Sequence, residues 1–191
     1  MAKPVNETHS PDRGEITEFP NIMHPDRDRH LVMISETGKL KAKTFLSGQS
    51  DEMLAWVIEW NRKEYNAYWH VNPLKDGVKD RKAKKEDVDR VTAFHVDLDD
   101  PSDRALESLK QFEPRPTAII FSGGGYQAFW LLEEPLTDLG KAALINKGIA
   151  TKLGADDCFN VDRIMRLPGT INWPNSKKRA AGRSEAVAYV V

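Results

Sequence analysis

Cysteine is almost missing from this chain: Cys158 stands alone among 191 residues, which excludes an internal disulfide and leaves no cysteine cluster for a structural zinc. Long apolar runs are missing too. Nothing approaches the ~20 consecutive apolar residues that span a bilayer, and the opening MAKPVNETHSPDRGE lacks the apolar segment of a secretory signal. A cytoplasmic protein with no membrane partner is the expectation. The chain also has no internal repeat and no low-complexity tract, and its glycines do not form a GxGxxG turn followed by a helix. None of the five histidines forms a His-x-His pair, which disfavours a rolling-circle nickase.

What is present is a chain long enough for one sizeable core, 40% hydrophobic and 30% charged. Its net charge of −1 conceals an uneven distribution. Residues 75–90 carry seven basic and five acidic side chains, whereas Lys177, Lys178, Arg179 and Arg183 lie in a stretch without any acid, which suits an anion. Residues 1–28, with Pro4, Pro11, Pro20 and Pro25 among polar neighbours, read as a flexible or loosely draped leader, leaving 29–191 as the folded domain. Its first part, 29–90, reads β-β-α-β: LVMIS, KTFL, a helix opened by Ser50 as N-cap, and NAYWHV. Its second part, 91–191, reads β-α-β-β-α-β, with helices capped by Ser102 and Thr137 and EAVAYVV as closing strand. The fold class is therefore α+β, an RRM-like core whose antiparallel sheet carries helices on one face and leaves the other open. The chain ends inside strand-like sequence, as a catalytic piece of a longer protein would.

Three stretches carry chemistry. In FHVDLDD, Phe94, Val96 and Leu98 alternate with His95, Asp97 and Asp99, so the acids share one strand face at a backbone spacing of about 6–7 Å. Side by side they repel and lose hydration, which a hard divalent cation such as Mg2+ or Mn2+ relieves. In FSGGGYQAFW, Gly123, Gly124 and Gly125 exceed what a two-residue hairpin needs, implying close approach of the backbone to something; glycine amides bind phosphate oxygens, and Gln127 reaches toward the same face. In DDCFNVDRIMRLPGTINWPNSKKR, one helical turn would place Asp162, Arg163 and Arg166 together. The arginines suit phosphate, and Asp162 completes a cation shell, with Asp157 as its competitor.

Together and in this order, VDLD, SGGGYQ and VDRIMRLPGTIN resemble the three motifs of the archaeo-eukaryotic primase superfamily, specifically the RepB-like primase-polymerase domains of phages, plasmids and related mobile elements. The resemblance covers about residues 66–183 and departs at Gln127, where the family has a histidine. It implies template-directed nucleotidyl transfer to a 3′-hydroxyl, with two metal ions held by Asp97, Asp99 and Asp162. It further implies nucleotide contacts from Ser122, the three glycines, Gln127, Arg163, Arg166 and Asn172, and template or primer contacts from Lys177, Lys178 and Arg179. The expected partners are nucleoside triphosphates, single-stranded or primed DNA, and a helicase domain or other replication protein.

The competing reading is a non-catalytic single-stranded nucleic-acid-binding module that stacks bases on Tyr68, Trp69 or Trp130 of an open sheet. Aligned acids argue against it, because they repel phosphate. A sugar-nucleotide transferase would explain the paired acids but not RLPGTIN or the basic stretch that follows.

Overall fold

The computed structural model describes residues 10–25 and 27–191. Two four-stranded antiparallel sheets organise it. The first has the order β2-β1-β3-β7, from β1 (Arg29–Ile34), β2 (Leu40–Phe45), β3 (Asn66–His70) and β7 (Ile164–Arg166). The second has the order β10-β5-β6-β4, from β4 (Val91–Leu98), β5 (Ala118–Phe121), β6 (Tyr126–Leu136) and β10 (Tyr189–Val190). A two-stranded ribbon joins β8 (Ile171–Asn172) to β9 (Ala186–Val187), and no helix among the described residues is long and apolar enough to cross a membrane.

The alternation expected around FHVDLDD holds. Phe94, Val96 and Leu98 pack beneath α3 (Asp103–Lys110) and α4 (Leu139–Leu153), against Leu109, Ala128, Trp130 and Ala150. Ser102 caps α3 as expected, its hydroxyl accepting from the Ala105 N–H at 3.2 Å. For α4 the cap is Asp138 rather than Thr137: its carboxylate accepts from the N–H groups of Gly140 and Lys141, which an ionised side chain does more strongly than a hydroxyl. Ser50 is already inside α2 (Ser50–Asn61), whose N-cap is Gln49.

Three expectations need correction. Over residues 13–23 the supposed leader is a helix, α1 (Arg13–Met23), begun by the Asp12 side chain, which accepts from Glu15 N–H. Ile16, Phe19 and Met23 recur at helical spacing and are buried, and Phe19 meets Trp69 edge to face at 5.1 Å. The chain ahead of it pairs with the RLPGT turn, Asp12 N–H donating to Gly169 C=O at 2.7 Å; a Cβ on Gly169 would come within 2.4 Å of Asp12 O, so that turn has room for glycine alone. Second, the far face of the β4 sheet is not open. Ala93, Ile120 and Phe129 on that face join one core with Trp69, Met165 and Phe19, so the first sheet and α1 cover most of it. Third, Arg163 and Arg166 lie on and beside strand β7 rather than a helical turn, with Arg166 opposite Tyr68. The closing strand EAVAYVV likewise divides at buried Ala188, β9 pairing with β8 and β10 with β5.

Candidate active site

Where the two sheets part, at the far end of β4, they leave a polar cavity of about 290 Å³. Its lining brings the acids Asp97, Asp99 and Asp156 together with the bases Arg163, Arg166, Lys178 and Arg183, and with Tyr68, Ser122, Gly124, Gln127 and Asn172. Acids alone would suit a cation and bases alone an anion. Both in one cavity suit an anion that arrives with a cation.

Asp97 stands opposite Gln127 in the β4–β6 register and accepts a long 3.4 Å bond from its Nε2. Burial is the main reason that its carboxyl pKa lies above the usual carboxylate range; Asp156 and Asp99 push the same way, while Gln127 and Arg163 oppose them. Asp99 is exposed and ion-paired, Oδ1 lying 2.9 Å from Arg183 Nη1. His95, on the same strand face, is no ligand: its Nε2–H donates to the Cys158 carbonyl at 3.1 Å, which leaves Nδ1 to accept from Asn146 Nδ2 at 3.4 Å, and burial lowers its pKa to about 4.

The glycine turn is crowded by the protein itself. A Cβ on Gly125 would fall 2.0 Å from Leu98 O, one on Gly123 2.7 Å from Asn172 Cβ, and one on Gly124 2.6 Å from Arg183 Nη1. The close approach inferred from three glycines is thus to the end of β4 and to the chain that follows β7. Ser122 supports the turn, its hydroxyl donating to Gly125 C=O at 3.1 Å, and its own carbonyl accepts from Asn172 Nδ2 at 3.0 Å.

Gln127 bridges the sheets, its Oε1 accepting from Arg166 N–H at 3.0 Å. The Arg166 guanidinium lies 4.5 Å above the Tyr68 ring and donates to Asn66 Oδ1 at 2.7 Å and Asn172 Oδ1 at 2.9 Å. Arg166 therefore shapes the wall while most of its donors are engaged. Arg163 is less engaged: its buried Nε–H has no hydrogen-bond partner among the described residues.

Of the predicted third ligands, neither Asp157 nor Asp162 lines the cavity; Asp162 accepts from Asn160 Nδ2 at 2.8 Å. Asp156 does line it, carried there because α4 ends at Gly154 in left-handed conformation (φ 63°) and Asp156 N–H donates to Asp97 C=O at 3.2 Å. GADD held two adjacent acids, and spacing alone could not say which turns inward. Among the described residues no three acid, histidine or cysteine side chains stand close enough to hold an ion as arranged. The acids nevertheless offer the oxygen donors that suit Mg2+ or Mn2+, around Asp97, whose carboxyl pKa is raised first by desolvation and then by Asp156 and Asp99. Of the basic stretch, Lys178 reaches the cavity, Lys177 is exposed, and Arg179 is occupied with Pro174 O at 2.8 Å and Glu185 at 3.6 Å. Trp69 and Trp130 are both buried, so neither offers a stacking surface.

The chain belongs to the RepB DNA-primase N-terminal domain family, which matches residues 66–190. Among solved structures, the primase-polymerase domain of cyanophage S-2L matches with a TM-score of 0.69 at 19% identity, over 96% of this chain and 91% of that one. The catalytic domain of primase RepB′ in complex with initiator DNA matches with a TM-score of 0.65 at 17% identity, over 94% and 82%. The polymerase domain of Mycobacterium tuberculosis ligase D in complex with DNA matches with a TM-score of 0.56 at 12% identity, over 94% and 78%. No curated protein matches the sequence.

Proposed function

We propose that this domain is a metal-dependent, template-directed nucleotidyltransferase, a primase-polymerase that extends a 3′-hydroxyl in the replication of a phage, plasmid or other mobile element. The observation that carries this reading is that Asp97, Asp99 and Asp156 line one cavity together with Arg163, Lys178 and Arg183. Asp97, Asp99 and Asp156 would hold Mg2+ or Mn2+, Asp156 taking the place that the family resemblance gave to Asp162. When bound, the metal neutralises charge at the reacting phosphate and favours loss of the hydroxyl proton. The 3′-oxygen bonds to the α-phosphorus of a nucleoside triphosphate, the bond to the β-phosphate oxygen breaks, and pyrophosphate leaves. Arg163 and Lys178 bind the triphosphate; Gly124, Ser122 and Asn172 shape its seat; Gln127 and Arg166 keep Asp97 and β7 in register. Exposed Lys177, on α5 (Ser176–Ala180), follows the DNA backbone, with Arg179 two residues on contributing positive charge beside Glu185. A helicase or another replication protein as partner belongs to the same reading.

The test is incubation of the protein with template, labelled nucleotides and Mg2+ or Mn2+, with and without primer. Extension that requires the metal is expected. Unchanged incorporation by Asp97→Asn would refute the assignment.

A further inference from the structure

We infer that Arg183 is a nucleotide-binding residue that rests on Asp99 as a stand-in cation and moves to the triphosphate when metal and nucleotide arrive. The inference rests on the function just proposed and adds a residue to that site. Arg183 Nη1 sits 2.9 Å from Asp99 Oδ1, on the carboxylate proposed to hold a metal, and crosses the Gly124 backbone so tightly that a Cβ there would lie 2.6 Å from the same nitrogen. A guanidinium in that place competes with a divalent ion for Asp99 Oδ1.

The position suits a moving side chain. Arg183 main chain is fixed, its N–H donating to Lys178 C=O at 3.0 Å just after Gly182, whose φ of +85° turns the chain back at the end of α5. The side chain, by contrast, is held by one exposed ion pair of a kind worth ~1 kcal/mol or less. Arg183 already lines the cavity with Lys178 and Arg163, so rotation about its own torsions is enough to turn the fork from Asp99 to a phosphate there. A triphosphate offers the planar fork paired oxygens, and a divalent ion offers Asp99 a stronger partner than it gives up. Each ligand thus removes an obstacle to the other, so metal and nucleotide bind with positive coupling.

The test measures binding in the absence of turnover. Free Mn2+ is titrated by electron paramagnetic resonance into wild type, Arg183→Gln, Gly124→Ala and Asp99→Asn, without nucleotide and with dATP or ATP in the absence of template. Arg183→Gln should bind Mn2+ roughly fivefold more tightly than wild type without nucleotide, the ratio equivalent to a single exposed ion pair. It should also bind triphosphate more weakly and lose most of the coupling. Gly124→Ala should tighten Mn2+ binding in the same direction by displacing the guanidinium while keeping its charge. Asp99→Asn should weaken it. If Arg183→Gln and Gly124→Ala leave Mn2+ affinity at the wild-type value while Asp99→Asn lowers it, Arg183 does not contest the site, and this inference fails while the proposed function survives. If no form binds Mn2+ and wild type adds no nucleotide, both fall.

Discussion

Asp97 and Asp99 are two residues apart on one strand face, yet they belong to different mechanical regimes. Asp97 is inside the framework: β4 pairs with β6 along its length, Gln127 stands opposite, and Gln127 in turn accepts from β7. Asp99 lies past the strand end, exposed, and its partner comes from a five-residue helix and turn at the surface. The same division separates the arginines. Arg166 is stacked on Tyr68 and fixed by two asparagines, whereas Arg183 is held by one exposed contact. The site thus joins a rigid half, which sets geometry before any ligand arrives, to an adjustable half that responds to one.

The largest expected effect breaks the framework itself. Phe19→Ala removes a ring packed against Trp69 and Phe129 and should lower unfolding free energy by about 3–5 kcal/mol in urea titration. A loss below about 1 kcal/mol would mean that α1 is not part of the core. Next comes Asp97→Asn, which preserves shape and should reduce primer extension at least ~100-fold, since even the outer-shell partners of metal sites are worth 10–100-fold. Its melting temperature should stay within a few degrees of wild type; a collapse in stability with activity per folded molecule retained would make Asp97 structural.

That Asp97 lies on such a framework was legible from alternation alone, because period two survives any tertiary setting. The helices α2, α3 and α4, the glycine turn and the antiparallel order were legible for the same local reason. What local pattern could not reveal was how the two halves meet. Ile16, Phe19 and Met23 gave a helical signal that four prolines obscured, although Pro20 sits inside α1 itself. Without that helix and the first sheet, the β4 face looked open. Which acid after Gly154 lines the cavity was not legible because the segment from Asp156 to Arg163 has no period to read; its course is set by the Gly154 cap and the bond from Asp156 to the β4 backbone. Arg183 was visible as charge, but its reach back to Asp99 depends on a turn made in three dimensions.

A smaller effect should distinguish the two halves by pH. His24, edge-on to Trp69, and His70, beside His30, are both buried and held neutral by desolvation, with pKa values pushed down to about 4 and about 3. The unfolded chain protonates them near 6.5, so stability from this source is intact above that pH and declines as pH falls toward 4. Between pH 7.5 and 5 the loss should be on the order of 1–2 kcal/mol per histidine, read as a shift in urea midpoint. His70→Asn should flatten the slope, and an unchanged slope would place the acid sensitivity elsewhere.

The smallest effect lies on the adjustable side and sharpens the comparison most. Lys177 and Lys178, adjacent on α5, are both exposed, but only Lys178 is among the residues that line the cavity. If α5 divides its work that way, Lys177→Ala should weaken binding to single-stranded DNA uniformly across sequences and reduce the slope of log affinity against log salt by about 0.7, one released counterion on a single strand. Lys178→Ala should instead raise the apparent KM for nucleotide and leave the DNA salt slope nearly unchanged. Neither should shift the urea midpoint, because neither side chain belongs to the core. Equal effects of the two substitutions on both measurements would show that α5 presents one undivided basic surface, and the boundary between phosphate seat and DNA track would then have to lie deeper, between Lys178 and Arg163.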